Sequence, residues 1–261
     1  MTRLDLATQT DLAILRLTGS TVTDHQDHLV VRSPHNPGHH WGNYLVVTDP
    51  DQAGDADRWL RVFAQAFPEA RHVAVALPGP TPAQSWAARG LAVEVDDVLV
   101  SDRAVVSGEA PAGYVVRPVR HDTDWTAMLA LDLADNAETG EHPETGYRSF
   151  AAARVQTWRE LAARGAAEFV GAWPVGDGEM AARVGIVDCD GTARFQEVLT
   201  AQPHRRRGLA THLVGAAARW AQERGCRRWV IVADRDSAAG SLYRQLGFVP
   251  SQASHAAYRA G

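Results

Sequence analysis

Residues 205–210 read Arg-Arg-Arg-Gly-Leu-Ala and fall where a strand hands over to a helix. Phe195–Leu199 (Phe-Gln-Glu-Val-Leu) is a short run of strand-like content. From Leu209 onward apolar residues recur at Leu209, Leu213, Ala217 and Trp220, with Ala210, Val214 and Ala221 beside them, which is the spacing of one helix face. A helix that opens at Gly208 turns unpaired N–H groups and the positive end of its dipole toward whatever precedes it. Gly208 has no Cβ, so an anion can approach the backbone closely there. Three arginines add charge and forked donors that match phosphate oxygens. The stretch reads as a pyrophosphate cradle in an α/β fold; the plainer alternative is a solvated arginine cap before an ordinary helix.

Nucleic acid is another polyanion that such a cluster could meet. The chain carries 26 Lys+Arg against 31 Asp+Glu, a formal net charge of −5. Sequence-independent nucleic-acid binding needs a broad basic face. This cluster is local and has no interleaved aromatics for stacking bases, so no nucleic-acid partner is expected.

A helix and a strand later comes Asp236-Ser-Ala-Ala239-Gly-Ser-Leu242-Tyr243, then Arg-Gln-Leu-Gly247-Phe248. Arg205-x-x-Gly208-x-Ala210 fits the Arg/Gln-x-x-Gly-x-Gly/Ala signature of the GNAT acetyltransferase superfamily. Asp236-x-x-Ala239-x-x-Leu242-Tyr243-x-x-x-Gly247-Phe248 resembles that superfamily's Asn-x-x-Ala-x-x-Leu-Tyr-x-x-x-Gly-Phe segment. The resemblance covers about residues 114–261, and the whole chain looks most like bacterial members with an N-terminal Trp-Gly-Asn segment, here Trp41-Gly42-Asn43. It implies an α/β (α+β) GNAT fold, a central mixed and mostly antiparallel sheet flanked by helices. It also implies acetyl-CoA as acyl donor, an amine as acceptor, no metal, and direct attack in a ternary complex without an acyl-enzyme.

The resemblance assigns roles residue by residue. Backbone amides of Arg205, Arg206, Arg207, Gly208, Leu209 and Ala210, with Thr211 behind them, are expected to cradle the coenzyme A pyrophosphate. The strand ending near Leu199 and Thr200 is expected to splay from the next strand, Trp229–Ala233, so that pantetheine pairs along the gap. An amide there can also hold the thioester carbonyl as charge develops on its oxygen. Tyr243 matches the family's general acid, which protonates the departing thiolate; the alternative is a tyrosine packed at a core edge. Glu197 is the candidate base, acting directly or through water, or else it pairs with a nearby arginine and shapes the surface. With Glu197 facing the site, alternation along a strand points Val198 the other way. Asp236 departs from the family's usual Asn; it either borders the cofactor or caps the following helix.

The N-terminal half repeats the order of the later half. Strands are expected at 28–33 and 44–48, a helix at 55–67, a strand at 72–77, a short helix near 83–89 and a strand at 91–100. Setting Gly90 on Gly247 without a gap puts Phe63 on Trp220, Gln65 on Gln222, Arg71 on Arg228, Val75 on Val232 and Trp86 on Tyr243. Few identities result, yet the elements coincide, as after an internal duplication. In that register Arg205–Ala210 face Thr48-Asp-Pro-Asp-Gln-Ala53. An acidic loop repels a pyrophosphate and an indole is no acid, so this half is expected to be a degenerate GNAT-like domain without a cofactor site. The expected division is residues 1–106, a breaker-rich linker at 107–113, and a catalytic domain at 114–261.

The second domain is expected to open with a strand at 114–119 and a helix at 123–134 capped by Asp122 or Thr123. A polar loop at 135–146, acidic through Glu138, Glu141 and Glu144, would then border a cationic acceptor or serve as a solvated connector. His25, His28, His35, His39 and His40 crowd the first half, but the Pro- and Gly-rich segment reads as a loop rather than a metal site. At 261 residues and 45% apolar content, two modest cores fit. No apolar run reaches the ~18 residues of a membrane span, and the start lacks a basic-then-apolar leader. Two cysteines, Cys189 and Cys226, suit a reducing cytoplasm. The expected protein is a monomer or homodimer that acetylates an amine on a small molecule. The alternatives are a non-catalytic acetyl-CoA-binding regulatory module and a protein acetyltransferase.

Overall fold

The computed structural model describes residues 4–140, 142–176 and 178–261. In chain order the elements are α1 (Leu6–Leu17), β1 (Thr21–Asp24), β2 (His28–Arg32), β3 (Tyr44–Val47), α2 (Ala56–Ala66), β4 (Val73–Leu77), α3 (Ala83–Ala87) and β5 (Ala92–Ser101). They continue with β6 (Tyr114–Pro118), α4 (Asp122–Thr139), α5 (Glu144–Ala163), β7 (Ala167–Pro174), β8 (Ala182–Cys189) and β9 (Thr192–Thr200). The last are α6 (Leu209–Glu223), β10 (Arg228–Asp234), α7 (Ala238–Gln245) and β11 (Val249–Arg259). Two compact units divide the chain: residues 1–99 with 232–241 and 250–261, and residues 100–231 with 242–249.

The first unit is a mixed sheet in the order β1-β2-β3-β4-β11-β5. β3 and β4 are parallel, while β1/β2, β2/β3 and β4/β11 are antiparallel. β11 comes from the segment 114–261, so the end of the chain completes the sheet of the first unit. Both faces of β3 and β4 are buried. Leu45, Val47, Val75 and Leu77 meet Trp59 and Phe63 of α2 and Trp86 of α3. Tyr44, Val46, Ala74 and Ala76 meet Leu12 and Leu15 of α1. That double burial is why these strands read as continuous apolar runs. α1 and β1 precede the first expected element. Asp5 caps α1 by accepting from Thr8 N at 2.9 Å, but buried Thr8 and Thr10 blur its apolar stripe.

Trp41-Gly42-Asn43 forms a packed turn, as its composition predicts. The buried Asn43 amide accepts from Ser33 N at 3.0 Å and donates to the Asn36 and His39 carbonyls. A Cβ on Gly42 would meet Ser33 Oγ at 2.5 Å. Among the described residues, no group of three or more His, Cys, Asp or Glu is placed to hold a metal ion.

The second unit is the mixed sheet β10-β9-β8-β7-β6, antiparallel except for the β10/β9 pair. α6 lies against β7, β8 and β9. Phe169 of β7 takes Trp125 of α4 and Trp158 of α5 edge-on and tilted, at 5.5 Å each. The α4 N-cap is His121, not Asp122 or Thr123. The buried Asp124 carboxylate, held well below the usual carboxylate range by the Arg117 guanidinium, accepts the N–H groups of Arg120 and His121 there. α4 also runs through Thr139, so the first part of the expected 135–146 loop is helical. Asn136 then bonds the His142 backbone in both directions, at 2.9 and 3.0 Å. Glu141 of the acidic loop lies outside the described residues. No helix among the described residues is long and apolar enough to cross a membrane.

The internal repeat survives with one change. α3 and α7, β4 and β10, and β5 and β11 coincide in the register that sets Gly90 on Gly247. Before them the register slips. β3 ends at Val47 and α2 starts at Ala56, while β9 ends at Thr200 and α6 starts at Leu209, so the two connections are equally long. α2 has 11 residues and α6 has 15, and the missing turn lies inside the helix. Aligned from the strand ends, Gly208 faces Asp55 rather than Asp51, and Arg205–Arg207 face Gln52–Gly54. Deleting one turn leaves the apolar face in phase, so sliding the sequence could not detect it.

Candidate active site

β9 and β10 pair only over Thr192–Arg194 and Arg228–Val230. Phe195–Thr200 run on beside β8 alone, leaving one edge of β9 unpaired by β10 up to Leu199 and Thr200, both half-buried. A 3₁₀ turn at Gln202–His204 follows, then Arg206 and Gly208 in left-handed conformation (φ 62 and 78) around Arg207. Gly208 is the N-cap of α6 and offers no side-chain cap. The first intrahelical bond is His212 N to Gly208 O at 3.1 Å. By the geometry of any α-helix, the N–H groups of Leu209, Ala210 and Thr211 are left without a partner inside it. A Cβ on Gly208 would stand in open space, 3.9 Å from Pro111 Cγ, so it is the left-handed φ that favours glycine here. Buried Leu209 anchors the start of the helix in the core.

The three arginines divide their work. Arg205 Nε donates to the Thr200 carbonyl at 3.0 Å and its Nη2 to Asp135 at 3.4 Å. Arg207 Nη2 donates to the Pro203 carbonyl at 3.3 Å. These two brace the loop, while Arg206 is exposed with no partner among the described residues. Tyr114 Oη lies 2.8 Å from His204 Nδ1, tying the start of β6 to the same turn.

Tyr243 is 4% exposed on α7, edge-on to Phe248 at 6.4 Å, which meets Phe195 at 5.9 Å. Burial pushes its phenol up to about 12, so it stays protonated. Asp236 is exposed in left-handed conformation (φ 63) and does not cap α7. Ser237 does, its Oγ accepting from Gly240 N at 3.0 Å, so the cap falls one residue later than expected.

Glu197 sits on a β-bulge. Arg183 pairs with Leu199 and Gly185 with Gln196, so Glu197 and Val198 together oppose Val184. Glu197 takes φ 57, which breaks the alternation expected at Val198. Arg183, buried in β8, holds this bulge: Nη1 donates to the Glu197 carbonyl at 2.7 Å and Nη2 lies 2.9 Å from Oε2. The same Nη2 pairs with Asp132 Oδ1 of α4. Arg154 of α5 completes the cluster, with Nη1 3.4 Å from Glu197 Oε1 and Nη2 3.7 Å from Asp132 Oδ2. Asp132, Arg154 and Arg183 escaped the sequence reading. The available signal was a charge inside an apolar run, Ala181-Ala-Arg183-Val-Gly-Ile and Leu131-Asp132-Leu133, since such charges are rarely buried unless paired.

A parallel strand pair that parts ahead of a glycine-opened helix without a side-chain cap is the strand-to-helix junction of an α/β protein. The sequence matches the acetyltransferase (GNAT) family over residues 109–248, more than half the chain, and the protein belongs to that family of acetyl-CoA-dependent enzymes. Solved structures agree on the fold. A conserved protein of unknown function from Staphylococcus epidermidis superposes with a TM-score of 0.70 at 14% identity, covering 92% of this chain and 93% of its own. A GCN5-related N-acetyltransferase from Kribbella flavida gives 0.66 at 17% identity, covering 99% and 97%. A tandem GNAT protein from the clavulanic acid biosynthesis pathway gives 0.55 at 16% identity, covering 98% and 95%. Both halves of the chain thus share the fold of these structures. No curated protein matches it.

Proposed function

We propose that the segment 109–248 takes the acetyl group of acetyl-CoA and passes it to an amine of a small molecule, by direct attack in a ternary complex. The observation that carries this reading is the uncapped start of α6 behind left-handed Gly208. The N–H groups of Gly208 to Thr211 and the free guanidinium of Arg206 suit a pyrophosphate. Acetyl-CoA supplies an activated thioester carbonyl. The unpaired edge of β9 at Leu199 and Thr200 supplies amides for pantetheine and for the carbonyl oxygen. Tyr243, buried and protonated, supplies the proton for the leaving thiolate.

Glu197 serves this reading as a positioning residue. Its two carboxylate oxygens face Arg154 and Arg183, and it fixes the bulge two residues before Leu199. The amine then loses its proton to water or arrives neutral. A carboxylate so engaged is also what favours the second reading, an acetyl-CoA-binding module without turnover. In both readings the N-terminal half is a relic without a cofactor site. There Asp55 fills the place of Gly208 and caps α2 by accepting from Arg58 N at 3.0 Å. The indoles of Trp59 and Trp86 take the loop carbonyls of Gln52 and Ala53 at 2.7 and 3.2 Å.

Calorimetric titration of the full chain with acetyl-CoA tests the donor site. One site per chain is expected; two sites would overturn the relic reading, and none would overturn the function. Thiol release with a panel of amines then separates enzyme from binding module.

A further inference from the structure

The cluster beneath Arg154 has a feature that the acyl-donor site does not use. Asp132 is 2% exposed, yet its Oδ2 accepts no hydrogen bond among the described residues, and its neighbour there is the Arg154 guanidinium at 3.7 Å. Arg154 Nε is likewise buried without an acceptor. Buried polar atoms without partners are rare because each forfeits its hydration. Here an unmet acceptor and a loosely held cation lie side by side.

The two arginines differ in how they are held. Arg183 is buried and fixed by the Glu197 carbonyl, the Glu197 carboxylate and Asp132. Among the described residues Arg154 makes no hydrogen bond; it keeps two longer ion pairs and a seat 4.8 Å over the Phe150 ring. Its side chain is 22% exposed, against 1% for Asp132 and 10% for Glu197, so Arg154 is the outermost member. Tyr147, Phe150 and Arg154 follow one face of α5 at helical spacing, and the Tyr147 phenol is held above its ordinary value by burial, with Asp132 and Glu197 adding to that rise. Burial likewise pushes the Asp132 carboxyl up, against the opposing pull of Arg183.

Charge decides what can enter. Two carboxylates and two guanidiniums sum to zero, and buried charge is tolerated only when paired. An anion added beside Arg154 leaves the cluster negative, and a cation added to the intact cluster leaves it positive. Exchange of one monocation for another keeps it neutral. A compact ammonium, with three donors, can give Oδ2 the bond that a planar guanidinium at 3.7 Å does not.

We propose that Asp132 and Glu197 form a receptor for an alkylammonium group of the acceptor, with Arg154 as the resident counter-ion that this group displaces. This rests on the acetyltransferase reading only in naming the ligand as acceptor. Arg183 pairs across β8/β9 with Leu199, so the receptor adjoins the strand end assigned to the thioester. The acceptor class is therefore a primary aliphatic amine, cationic at neutral pH, rather than a neutral arylamine.

The test is a ¹⁵N NMR titration of the arginine Nε–H resonances in the full chain with n-butylammonium chloride, against sodium chloride and sodium propionate at equal ionic strength. The Arg154 resonance should shift saturably while that of Arg183 stays. Arg154→Ala should tighten n-butylammonium binding about tenfold, read calorimetrically, and Asp132→Asn should abolish it. No shift with n-butylammonium, or a shift with propionate alone, overturns the proposal, as does unchanged binding in Asp132→Asn. If Asp132→Asn does not fold, Arg154→Ala decides by itself, weaker or equal binding refuting the exchange. The readout uses neither acetyl-CoA nor turnover. Ammonium binding without acetyl transfer would sink the enzyme and spare the receptor; transfer to aliphatic amines with a silent cluster would do the reverse.

Discussion

Gly208→Asp separates the cradle from the fold. The helix it opens has no side-chain cap, so a carboxylate there has two courses. Position 208 can stay left-handed, at about 1–2 kcal/mol for a residue with a Cβ, and present its charge at the mouth. Alternatively it relaxes toward the conformation of Asp55 (φ −82) and caps α6 as Asp55 caps α2, recovering about 1 kcal/mol. Either way stability should move by no more than about 1–2 kcal/mol. Binding has no such compensation. The carboxylate takes at least one N–H from the pyrophosphate, worth about 1.5–3 kcal/mol for a charge-assisted bond. Like-charge repulsion at about 4 Å adds at least about 1 kcal/mol. A loss near 3–4 kcal/mol is about two to three orders of magnitude in Kd. Calorimetry with acetyl-CoA measures it, and thermal melting checks the fold. Gly208→Ala, whose Cβ meets open space, should cost less than about tenfold, and Asp51→Asn should cost nothing. A Kd within about threefold of the parent's for Gly208→Asp would refute the cradle as drawn, and an equal loss for Asp51→Asn would refute the relic reading of the N-terminal half.

Tyr243→Phe should lower kcat by about 10²-fold and leave acetyl-CoA affinity unchanged; because the phenol titrates near 12, kcat should show no alkaline fall from this group below about pH 11. An unchanged kcat would assign Tyr243 to packing. Arg183→Met strips a buried cation from two carboxylates and should cost about 3–5 kcal/mol in denaturant unfolding, a loss under about 1 kcal/mol being incompatible with the cluster described. His72, buried beside His40 with ring centroids 4.1 Å apart, is held below its ordinary value by burial. The unfolded chain therefore takes up its proton first, and the stability that neutral His72 contributes, complete above about pH 6.5, is lost as pH falls from there through the folded value. His72→Gln should flatten the fall of the melting temperature as pH drops below about 6.5; an unaltered slope would place the titration elsewhere.

Much of the proposed donor site was legible because it is local. Arg205–Ala210 and Leu242–Phe248 carry their chemistry in consecutive residues, and a strand–glycine–helix junction presents its N–H groups whatever surrounds it. The period of the apolar residues likewise gave most elements to within a few positions. Three kinds of fact lay beyond it. Asp236 and Ser237 both offer a capping oxygen, and the left-handed backbone at Asp236 places the cap at Ser237. The missing turn of α2 is silent in the sequence, because a whole turn preserves the apolar face.

The third kind is tertiary. Asp132, Arg154, Arg183 and Glu197 lie on α4, α5, β8 and β9, and no spacing along the chain brings them together. The family and the strand–glycine–helix junction at Gly208 were legible in consecutive residues, since each depends on neighbours in the chain. Packing alone decided that Glu197 sits on a bulge between two guanidiniums, and that Asp132 keeps one oxygen unmet, because burial and ion pairing are sums over contacts from distant residues.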